Sequence, residues 1–354
     1  MTAPLPLCVV GAGMIGMRHV EVAQACDTVR LTAVVEADAG RRAALAAQGL
    51  PVAAALDDVP GETRAAIVAT PTPDHGPSGQ RALDLGMAVL VEKPLTGTID
   101  EARALIAAAR AAGLPLITGH HRRCHPFSQA ARAALAEIGA PVGVQGLWSV
   151  RKHDTYYDVP WRRQPGAGPL MTNLSHEIDL MRFLLGDIAQ VTALTSHARR
   201  GLAVEDTAAL AFRFDNGALG SVLISDAGAS PWSFEQSSGE NPEFPRSGLD
   251  YLRIVGEAGA LAFPSLTRWQ QPGGGEVEWR KPFEELAGAP FDRIDPLLAQ
   301  VGRFAAVVGG ALDDVLCTGE DGLAALEMTL ATALSGQTGR PVRRGEVPGD
   351  FRGT

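Results

Sequence analysis

A glycine-rich turn separates the first apolar run of the chain from its first helical stretch. The apolar run Leu5–Val10 leads directly into Gly11, and Gly13 and Gly16 complete the spacing Gly-x-Gly-x-x-Gly. The pattern of Met14–Ala25 has helical length and begins inside this turn. A buried strand that passes through such a turn into a helix is typical of a βαβ unit. The turn therefore predicts a parallel sheet covered by helices.

The first third of the chain continues this alternation. Strands are predicted at residues 5–10, 31–35, 65–69, 87–91 and 116–118, and helices at residues 14–25, 40–48, 77–85 and 99–112. Strands that alternate with helices in this way form doubly wound parallel sheets. We therefore predict that residues 1–121 form an α/β domain with a Rossmann sheet.

The pattern changes after about residue 121. Hairpin signals occur at residues 207–225 and 251–263, and further helices are predicted at residues 173–185, 296–308 and 322–334. An antiparallel or mixed sheet with a few helices is an α+β arrangement. We assign residues 122–354 to this second domain. Within it, residues 229–250 hold three prolines and two glycines, which suits a lid, a binding loop or a plain surface excursion.

The composition excludes several classes of protein. The 354 residues carry a net charge of −9, which disfavours non-specific binding to nucleic acid or to anionic membranes. The hydrophobic fraction of 46% beside 20% charged residues is that of ordinary globular proteins rather than of disordered chains. We therefore expect a folded protein whose partners are small molecules.

Cysteines and apolar runs indicate the compartment. The four cysteines lie far apart with no Cys-x-x-Cys pair, so neither a disulfide framework nor a structural zinc site is indicated. No run of about 18 uncharged apolar residues could span a bilayer. The first seventeen residues are uncharged, but they lack the basic start of a signal peptide, so we interpret them as the start of the fold. We expect a cytoplasmic protein.

The glycine turn predicts a dinucleotide site. Gly11 permits the tight turn, Gly13 lets a pyrophosphate approach the backbone, and Gly16 lets the helix pack closely on the strand. The start of the helix, with Met14 and Ile15, supplies N–H donors and a partial positive charge to the phosphates. A glycine-rich turn in another α/β fold is the alternative.

An acidic residue predicts which dinucleotide binds. Glu36 ends the second strand, 20 residues after Gly16, where a carboxylate accepts hydrogen bonds from the adenosine ribose and repels a 2′-phosphate. This favours NAD over NADP. Arg41 or Arg42 could still hold a phosphate, and Asp38 is a second candidate for the ribose ligand.

Two short motifs carry a resemblance to a known family. Ala69-Thr70-Pro71 with His75, and then Glu92-Lys93-Pro94, look like the signature of the Gfo/Idh/MocA oxidoreductases. Similarity extends from the first strand to about residue 342, through Trp161-Arg162 and residues 176–179. The resemblance implies an NAD(P)-dependent dehydrogenase of sugars or polyols. It also implies that Thr70, Pro71, His75, Glu92 and Lys93 belong to the cofactor site, and that the second domain has an open-faced sheet that serves an oligomer, a homodimer or a homotetramer.

The resemblance also assigns two catalytic residues. Lys93 follows a strand at the edge where open α/β sheets bind ligands, and its ammonium can stabilise an alkoxide. His176 matches the usual acid/base of the family, and an imidazole exchanges protons near neutral pH. Many members carry an aspartate four residues before this histidine, where this chain has Thr172 followed by Asn173. Either Thr172 or Asn173 binds substrate by neutral hydrogen bonds, or the proton relay differs.

Basic residues and histidines cluster near the expected substrate region. The basic residues are Arg122, Arg123, Arg151, Lys152, Arg162 and Arg163, and several of them are solvated or paired. Arg123 and Arg162 are our candidate substrate contacts, since a guanidinium holds anionic or polyhydroxylated groups by forked hydrogen bonds. His120, His121, Cys124 and His125 match no standard zinc spacing, so we predict no metal site.

These features predict an NAD-dependent dehydrogenase that acts on a secondary alcohol of a sugar, a cyclitol or a related polyol. Two alternatives remain open at this point. Some relatives are NAD-dependent glycoside hydrolases that oxidise the sugar transiently, and some proteins of this fold are non-catalytic nucleotide sensors. The presence of both Lys93 and His176 argues against a sensor.

Overall fold

The computed structural model describes residues 3–240, 244–273, 276–288, 291 and 294–353. The contacts group the chain into two compact units, one made of residues up to 125 together with 294–326, the other of residues 126–293 and 327–354. Among the described residues, no helix is both long enough and apolar enough to cross a membrane.

The first unit is built on a parallel sheet. Its strands are β1 Leu5–Val10, β2 Val29–Val35, β3 Val52–Ala53, β4 Ala65–Val68, β5 Ala88–Val91 and β6 Leu116–Thr118, and the helices between them are α1 Met14–Ala25, α2 Ala39–Ala47, α3 His75–Asp84 and α4 Ile99–Ala112. Within the described residues the strand order is β3-β2-β1-β4-β5-β6, and each pairing is parallel. The predicted Rossmann sheet is confirmed. Strand β3 was not predicted, because its two residues are too short to show a periodicity.

The second unit contains a larger sheet that is mixed and mostly antiparallel. Its elements are α5 Pro126–Ala134, β7 Pro141–Ser149, α6 Pro169–Thr172, α7 Leu174–Leu185, β8 Ile188–Ser196, β9 Thr207–Phe214, β10 Leu219–Ser225, α8 Phe234–Ser238, β11 Leu252–Gly256, β12 Gly259–Phe263, β13 Arg268–Gln270 and β14 Glu284–Leu286. The chain ends with α9 Pro296–Val308, α10 Gly319–Thr338 and β15 Val342–Arg343. Across the described residues the order is β14-β13-β12-β11-β7-β10-β9-β8-β15. The pair β7–β10 is parallel and the other pairs are antiparallel.

One face of this sheet is packed and the other faces outward. In β9 and β10, buried residues alternate with exposed or partly exposed ones, which is the period-two pattern of a half-covered sheet. The predicted hairpin turn lies between these strands, where Gly217 has a φ of 89° and the Asn216 side chain accepts a hydrogen bond from the Ala218 N–H. The prediction of a mostly antiparallel open-faced sheet is therefore confirmed.

A late segment of the chain returns to the first unit. Residues 294–326, which the sequence division assigned to the second domain, pack with residues up to 125. Helix α9 lies against α1 and against the short 3₁₀ helix His121–Cys124. The Thr118 N–H also donates to the Cys317 carbonyl at 2.8 Å. Local periodicity cannot reveal such a return, because it depends on contacts between residues almost two hundred positions apart.

The described part of residues 229–250 is anchored to the sheet of the second unit. Phe234 is fully buried, and its ring lies 5.7 Å from that of Phe127 and 6.2 Å from that of Tyr251. The Trp148 indole N–H donates to Glu235 at 2.9 Å. Residues 241–243 lie outside the described residues. The buried Phe234 therefore fixes the segment up to residue 240 to the core of the second unit, while most of its other residues stay half-buried or exposed.

Candidate functional site

The glycine turn joins β1 to α1 with very little space between them. Gly11 has a φ of 93°, which side chains rarely adopt, and its N–H donates to the Val35 carbonyl at 2.8 Å. A Cβ on Gly16 would lie 1.9 Å from the Gly11 carbonyl oxygen, so this position tolerates no side chain. A Cβ on Gly13 would meet no atom within 4 Å. The turn is therefore closed on the side of Gly16 and open on the side of Gly13, which is the side a ligand can approach.

A cleft of about 770 Å³ lies beside this turn, at the carboxyl edge of the first sheet. Its lining combines backbone from the turn, one acidic side chain at the end of β2 and residues that follow β4. Its lining residues include Gly11, Gly13, Glu36, Arg41, Thr70 and Pro71. Open α/β sheets bind nucleotides at this edge, and a helix N-terminus without a capping side chain, as in α1, leaves N–H donors for phosphate. The residues present fit a dinucleotide.

The acidic residue of the cleft is held in place by backbone donors. The Glu36 carboxylate accepts hydrogen bonds from the N–H groups of Ala12, at 3.3 Å, and of Asp38, at 2.9 Å. The Arg41 guanidinium lies 3.8 Å from it. Glu36 is therefore a fixed carboxylate in the wall of the cleft, with one cation beside it.

The neighbouring alternatives have other partners. The Asp38 carboxylate caps α2 by accepting the Arg41 N–H at 2.7 Å. Arg42 donates to the carbonyl oxygens of Glu36, at 2.7 Å, and of Ala37, at 3.0 Å. Neither Asp38 nor Arg42 lines the cleft, whereas Arg41 does. Of the charged residues considered for cofactor choice, the structure places Glu36 and Arg41 at the cleft.

The His75 ring lies within hydrogen-bond distance of the loop after β4 and of the loop after β5. Its ring nitrogens lie 2.9 Å from the Thr70 carbonyl oxygen and 2.8 Å from the Pro94 carbonyl oxygen. A neutral imidazole can donate to one of these oxygens at a time. His75 thereby links the end of β4 to the end of β5. His75, Met14, Ile15 and Gly16 are not among the residues that line the cleft.

Glu92 and Lys93 follow β5, next to the loop after β4. Glu92 is buried, and one of its oxygens lies 2.7 Å from Nε2 of His19, a fully buried residue of α1. The other oxygen accepts the Lys93 N–H at 3.2 Å. Lys93 is partly exposed. No sequence pattern marks His19, because a lone histidine within a helix has no characteristic spacing to other residues.

The environment of Glu92 keeps it ionised. Burial alone would raise the pKa of this carboxyl, but the hydrogen bond and electrostatic attraction of His19, with smaller contributions from His121 and Lys93, lower the pKa to about 2, below its ordinary value of 4.5. Because the pKa is lower in the folded state, ionised Glu92 stabilises the fold above about pH 4.5, and that contribution is lost as the pH falls toward 2.

The second unit carries the other predicted catalytic residue. His176 is buried in the first turn of α7. Its backbone N–H donates to the Asn173 carbonyl oxygen at 3.2 Å. Thr172, at the end of α6, places its hydroxyl 2.9 Å from both the Gly168 carbonyl oxygen and the Asn173 Oδ1 atom. The structure therefore brings Thr172, Asn173 and His176 together at the junction of two helices.

A charged network that the sequence did not predict adjoins this junction. The Lys152 ammonium lies 3.5 Å from Asn173 Oδ1 and 3.5 Å from the buried Asp226 carboxylate. Asp226 also lies 3.6 Å from the Arg200 guanidinium, and the Tyr157 hydroxyl donates to it. Asp226 comes directly after β10, and only the folded sheet brings it to Lys152.

The predicted substrate arginines both have partners inside their own unit. Arg123 is buried and donates to Asp321 at 3.1 Å. Arg162 donates to the Tyr156 carbonyl at 3.0 Å, and its guanidinium lies 4.0 Å above the Tyr156 ring. Their contact with substrate stays a prediction.

The family comparisons cover both units. Residues 6–120 match the family described as "Oxidoreductase family, NAD-binding Rossmann fold". Residues 128–262 match the "GFO/IDH/MocA C-terminal domain". The two matches lie in sequence order and together span most of the chain.

Individual proteins are also similar to this chain. D-apiose dehydrogenase of Paraburkholderia graminis is 26% identical over 350 residues, which cover 94% of this chain and 88% of that protein. The scyllo-inositol 2-dehydrogenase (NAD(+)) of Bacillus subtilis is 31% identical over 171 residues, 46% of this chain and 48% of that protein. The crystal structure of an Agrobacterium radiobacter oxidoreductase with NAD+, L-tartaric acid and magnesium has the same fold, with a TM-score of 0.79 at 19% identity, and covers 97% of this chain and 99% of that one.

The asymmetry of the glycine turn leads to a testable prediction. Gly13→Ala should leave the melting temperature unchanged, because its Cβ meets no protein atom, but it should weaken dinucleotide binding at least tenfold by crowding the phosphates. Gly16→Ala should lower both the melting temperature and the affinity, because its Cβ collides with the Gly11 carbonyl. Thermal melts and calorimetric titration with NADH measure the two effects. Equal losses of stability in both variants would contradict this geometry.

Proposed function

The chain belongs to the Gfo/Idh/MocA family of oxidoreductases, and on that basis we propose that it transfers a hydride between NAD and a secondary alcohol of a sugar, a cyclitol or a related polyol. The observation that carries the proposal is the cleft at the carboxyl edge of the first sheet, with Lys93 at the end of a neighbouring strand. Relatives named for apiose and inositol oxidation support this substrate class.

The cofactor would be held by residues of the first unit. The N–H groups at the start of α1 would donate to the pyrophosphate, and the open space at Gly13 would leave room for it. Glu36 would accept hydrogen bonds from the ribose hydroxyls. Thr70 and Pro71 also line the cleft. Because Glu36 is fixed by two backbone donors, its charge stays where a 2′-phosphate would sit, and this favours NAD over NADP.

The protein's own residues would manage the proton and the oxygen of the substrate. NAD, when bound, supplies an acceptor for the hydride that leaves the carbinol carbon. His176 takes the hydroxyl proton as a general base, and the C–O bond becomes a carbonyl. The Lys93 ammonium donates to the same oxygen and stabilises the negative charge that develops on it. In the reverse direction His176 returns the proton.

Hydroxyl groups of the substrate would be recognised in the second unit. Asn173 Oδ1 lies near two donors, the Thr172 hydroxyl and the Lys152 ammonium, so its amide N–H groups point elsewhere and can donate to a substrate oxygen. We retain Thr172, Asn173, Arg162 and Arg123 as proposed substrate contacts.

A substrate screen tests the proposal directly. The protein is incubated with NAD or NADP and a panel of sugars, inositols and sugar acids, and absorbance at 340 nm reports reduced cofactor. Turnover of at least one polyol supports the proposal. Release of an aglycone from a glycoside without net NADH would instead indicate the hydrolytic cycle.

The charge at Glu36 should decide the choice of cofactor. Glu36→Ala removes a charged acceptor, so the KM for NAD should rise about tenfold or more. It also leaves Arg41 without the opposing charge, so discrimination against NADP should relax. Glu62→Ala removes an exposed carboxylate that pairs with Arg30 elsewhere in the unit, and should change neither value. A wild-type preference for NADP would refute the argument.

The two catalytic assignments predict separable losses. His176→Ala should lower kcat by about 10²- to 10⁴-fold with little change in NADH affinity, since proton transfer is worth that much. Lys93→Ala should also lower kcat, and Lys93→Arg should not restore it, because a planar guanidinium cannot replace a compact ammonium at one oxygen. Steady-state kinetics and NADH titration measure both.

His153→Ala is the matched histidine control for this prediction. His153 is exposed and contacts the Thr155 hydroxyl, so its loss should leave kcat near the wild-type value. A near-normal kcat in His176→Ala, with a large loss in His153→Ala, would reverse the assignment of the proton carrier.

We further propose that two copies of the chain associate through the open face of the sheet in the second unit, so that each copy covers the exposed apolar residues of the other. Leu194 and Leu223 are exposed on this face, and both pair with Ala209 between them. On the other side Leu223 pairs with Leu147. An apolar row across four strands is the kind of surface that soluble proteins cover.

Light scattering can test this interface. At micromolar concentration the wild-type mass should be twice or four times that of the chain. Leu223→Arg should produce monomers, because it places an unpaired charge in the middle of the row. Leu312→Arg is the control: Leu312 is fully exposed in the first unit, so its substitution should leave the mass unchanged. A monomeric wild type would reject the proposal.

A further inference from the structure

The position of Glu92 does not suit a cofactor contact. It is buried, it does not line the cleft, and both carboxylate oxygens have partners within the first unit. One oxygen lies 2.7 Å from His19 Nε2, and the other accepts the N–H of Lys93 at 3.2 Å. A carboxylate held by two donors has one orientation, so Glu92 fixes the backbone from which the Lys93 side chain begins.

We propose that His19 and Glu92 form a buried pair that positions Lys93 and sustains its ammonium charge. Both are positioning residues, because they act through Lys93. The inference rests on the proposed role of Lys93 at the reacting oxygen.

The surroundings of Glu92 support this role. The His19 ring, on α1, contacts the carboxylate directly, and the positive fields of His121, in the 3₁₀ helix before α5, and of Lys93 also lower the pKa of Glu92. An opposite charge nearby favours the charged form of a lysine. With the pKa of Glu92 near 2, the carboxylate stays ionised throughout the neutral range. Glu92 therefore keeps its negative charge next to the Lys93 backbone.

The His19–Glu92 pair is closely packed by its neighbours. A Cβ on Gly119, at the end of β6, would lie 3.0 Å from a Glu92 carboxylate oxygen and 3.1 Å from its Cα. His19 itself has no exposed surface, so its ring cannot turn toward solvent. A substitution at His19 or at Gly119 should therefore move Glu92, and with it the backbone from which the Lys93 side chain begins.

His19 also connects Lys93 to the cofactor cleft. It lies three residues after Gly16, on the helix whose uncapped N-terminus adjoins the cleft. The His19 Nδ1 atom finds no hydrogen-bond partner among the described residues, which favours a ring that donates through Nε2. A donor at this point is what the pair requires, so a glutamine amide should serve in its place.

The test uses the whole protein and the variants Glu92→Gln, His19→Ala, His19→Gln and Gly119→Ala, each accepted only if its melting curve is cooperative. We expect Glu92→Gln, His19→Ala and Gly119→Ala to lower kcat by about 10- to 100-fold with the NADH dissociation constant within threefold of wild type, because misplacement of a catalytic group by about 1 Å costs this much. His19→Gln should keep kcat within about threefold. Glu320→Gln removes a surface carboxylate that pairs with Arg110 and should change nothing.

A second measurement does not depend on turnover. The chain has three lysines, so acylation of Lys93 can be followed by mass spectrometry against the exposed Lys281. In Glu92→Gln, the pH at which half of Lys93 is reactive should fall by roughly one unit, because the neighbouring charge is lost. Lys281 should not change.

The outcomes separate the two proposals. Unchanged kcat and unchanged Lys93 labelling in Glu92→Gln would overturn the positioning role, whatever the substrate. The expected labelling shift in a protein that oxidises no polyol would uphold the pair and reject the proposed function. Equal losses of kcat in His19→Ala and His19→Gln would overturn the donor role of His19.

Discussion

The close packing of α1 on the first strand is the constraint on which the site depends. Gly16 lies so near the Gly11 carbonyl that no side chain fits between them, and the Gly11 turn in turn lies against Ala69 at the end of β4. This contact brings the helix N-terminus to the edge of the sheet. It also fixes the depth at which the next turn of the helix, with His19, meets the end of β5. The position of one helix therefore sets both the wall of the cleft at Gly13 and the contact between His19 and Glu92.

Charge pairing inside each unit bears on the kind of substrate. Several basic residues that could hold an anion have acidic partners: Arg123 with Asp321, Lys152 and Arg200 with Asp226. Buried charges are tolerated when they are paired, and such pairs have little capacity left for a further anion. The pairing is consistent with the hydroxyl-rich substrate proposed above.

Sequence could predict what depends on local pattern and not what depends on distant contacts. The glycine spacing, the strand and helix alternation and the hairpin at Asp215-Asn216-Gly217 are local, and the structure has them. Strand β3 is too short for a pattern, and β13, β14 and β15 have only two or three residues each, so the strands beside them define them. The pairing of His19 with Glu92 joins residues 73 positions apart, and Asp226 reaches Lys152 only through the pairing of β10 with β7. For such contacts the chain carries no short-range signal.

The threonine at position 172 is consistent with the network around it. Its hydroxyl can donate to only one of its two acceptors, the Gly168 carbonyl or Asn173 Oδ1, and Asn173 Oδ1 also accepts from Lys152. The charge of Lys152 is balanced by Asp226, which lies at the end of β10 rather than on the helix before His176. A carboxylate at position 172 would add a second negative charge beside a lysine that already has one. The negative charge that pairs with Lys152 therefore lies at the end of β10 and not at position 172, where the chain has a neutral hydroxyl.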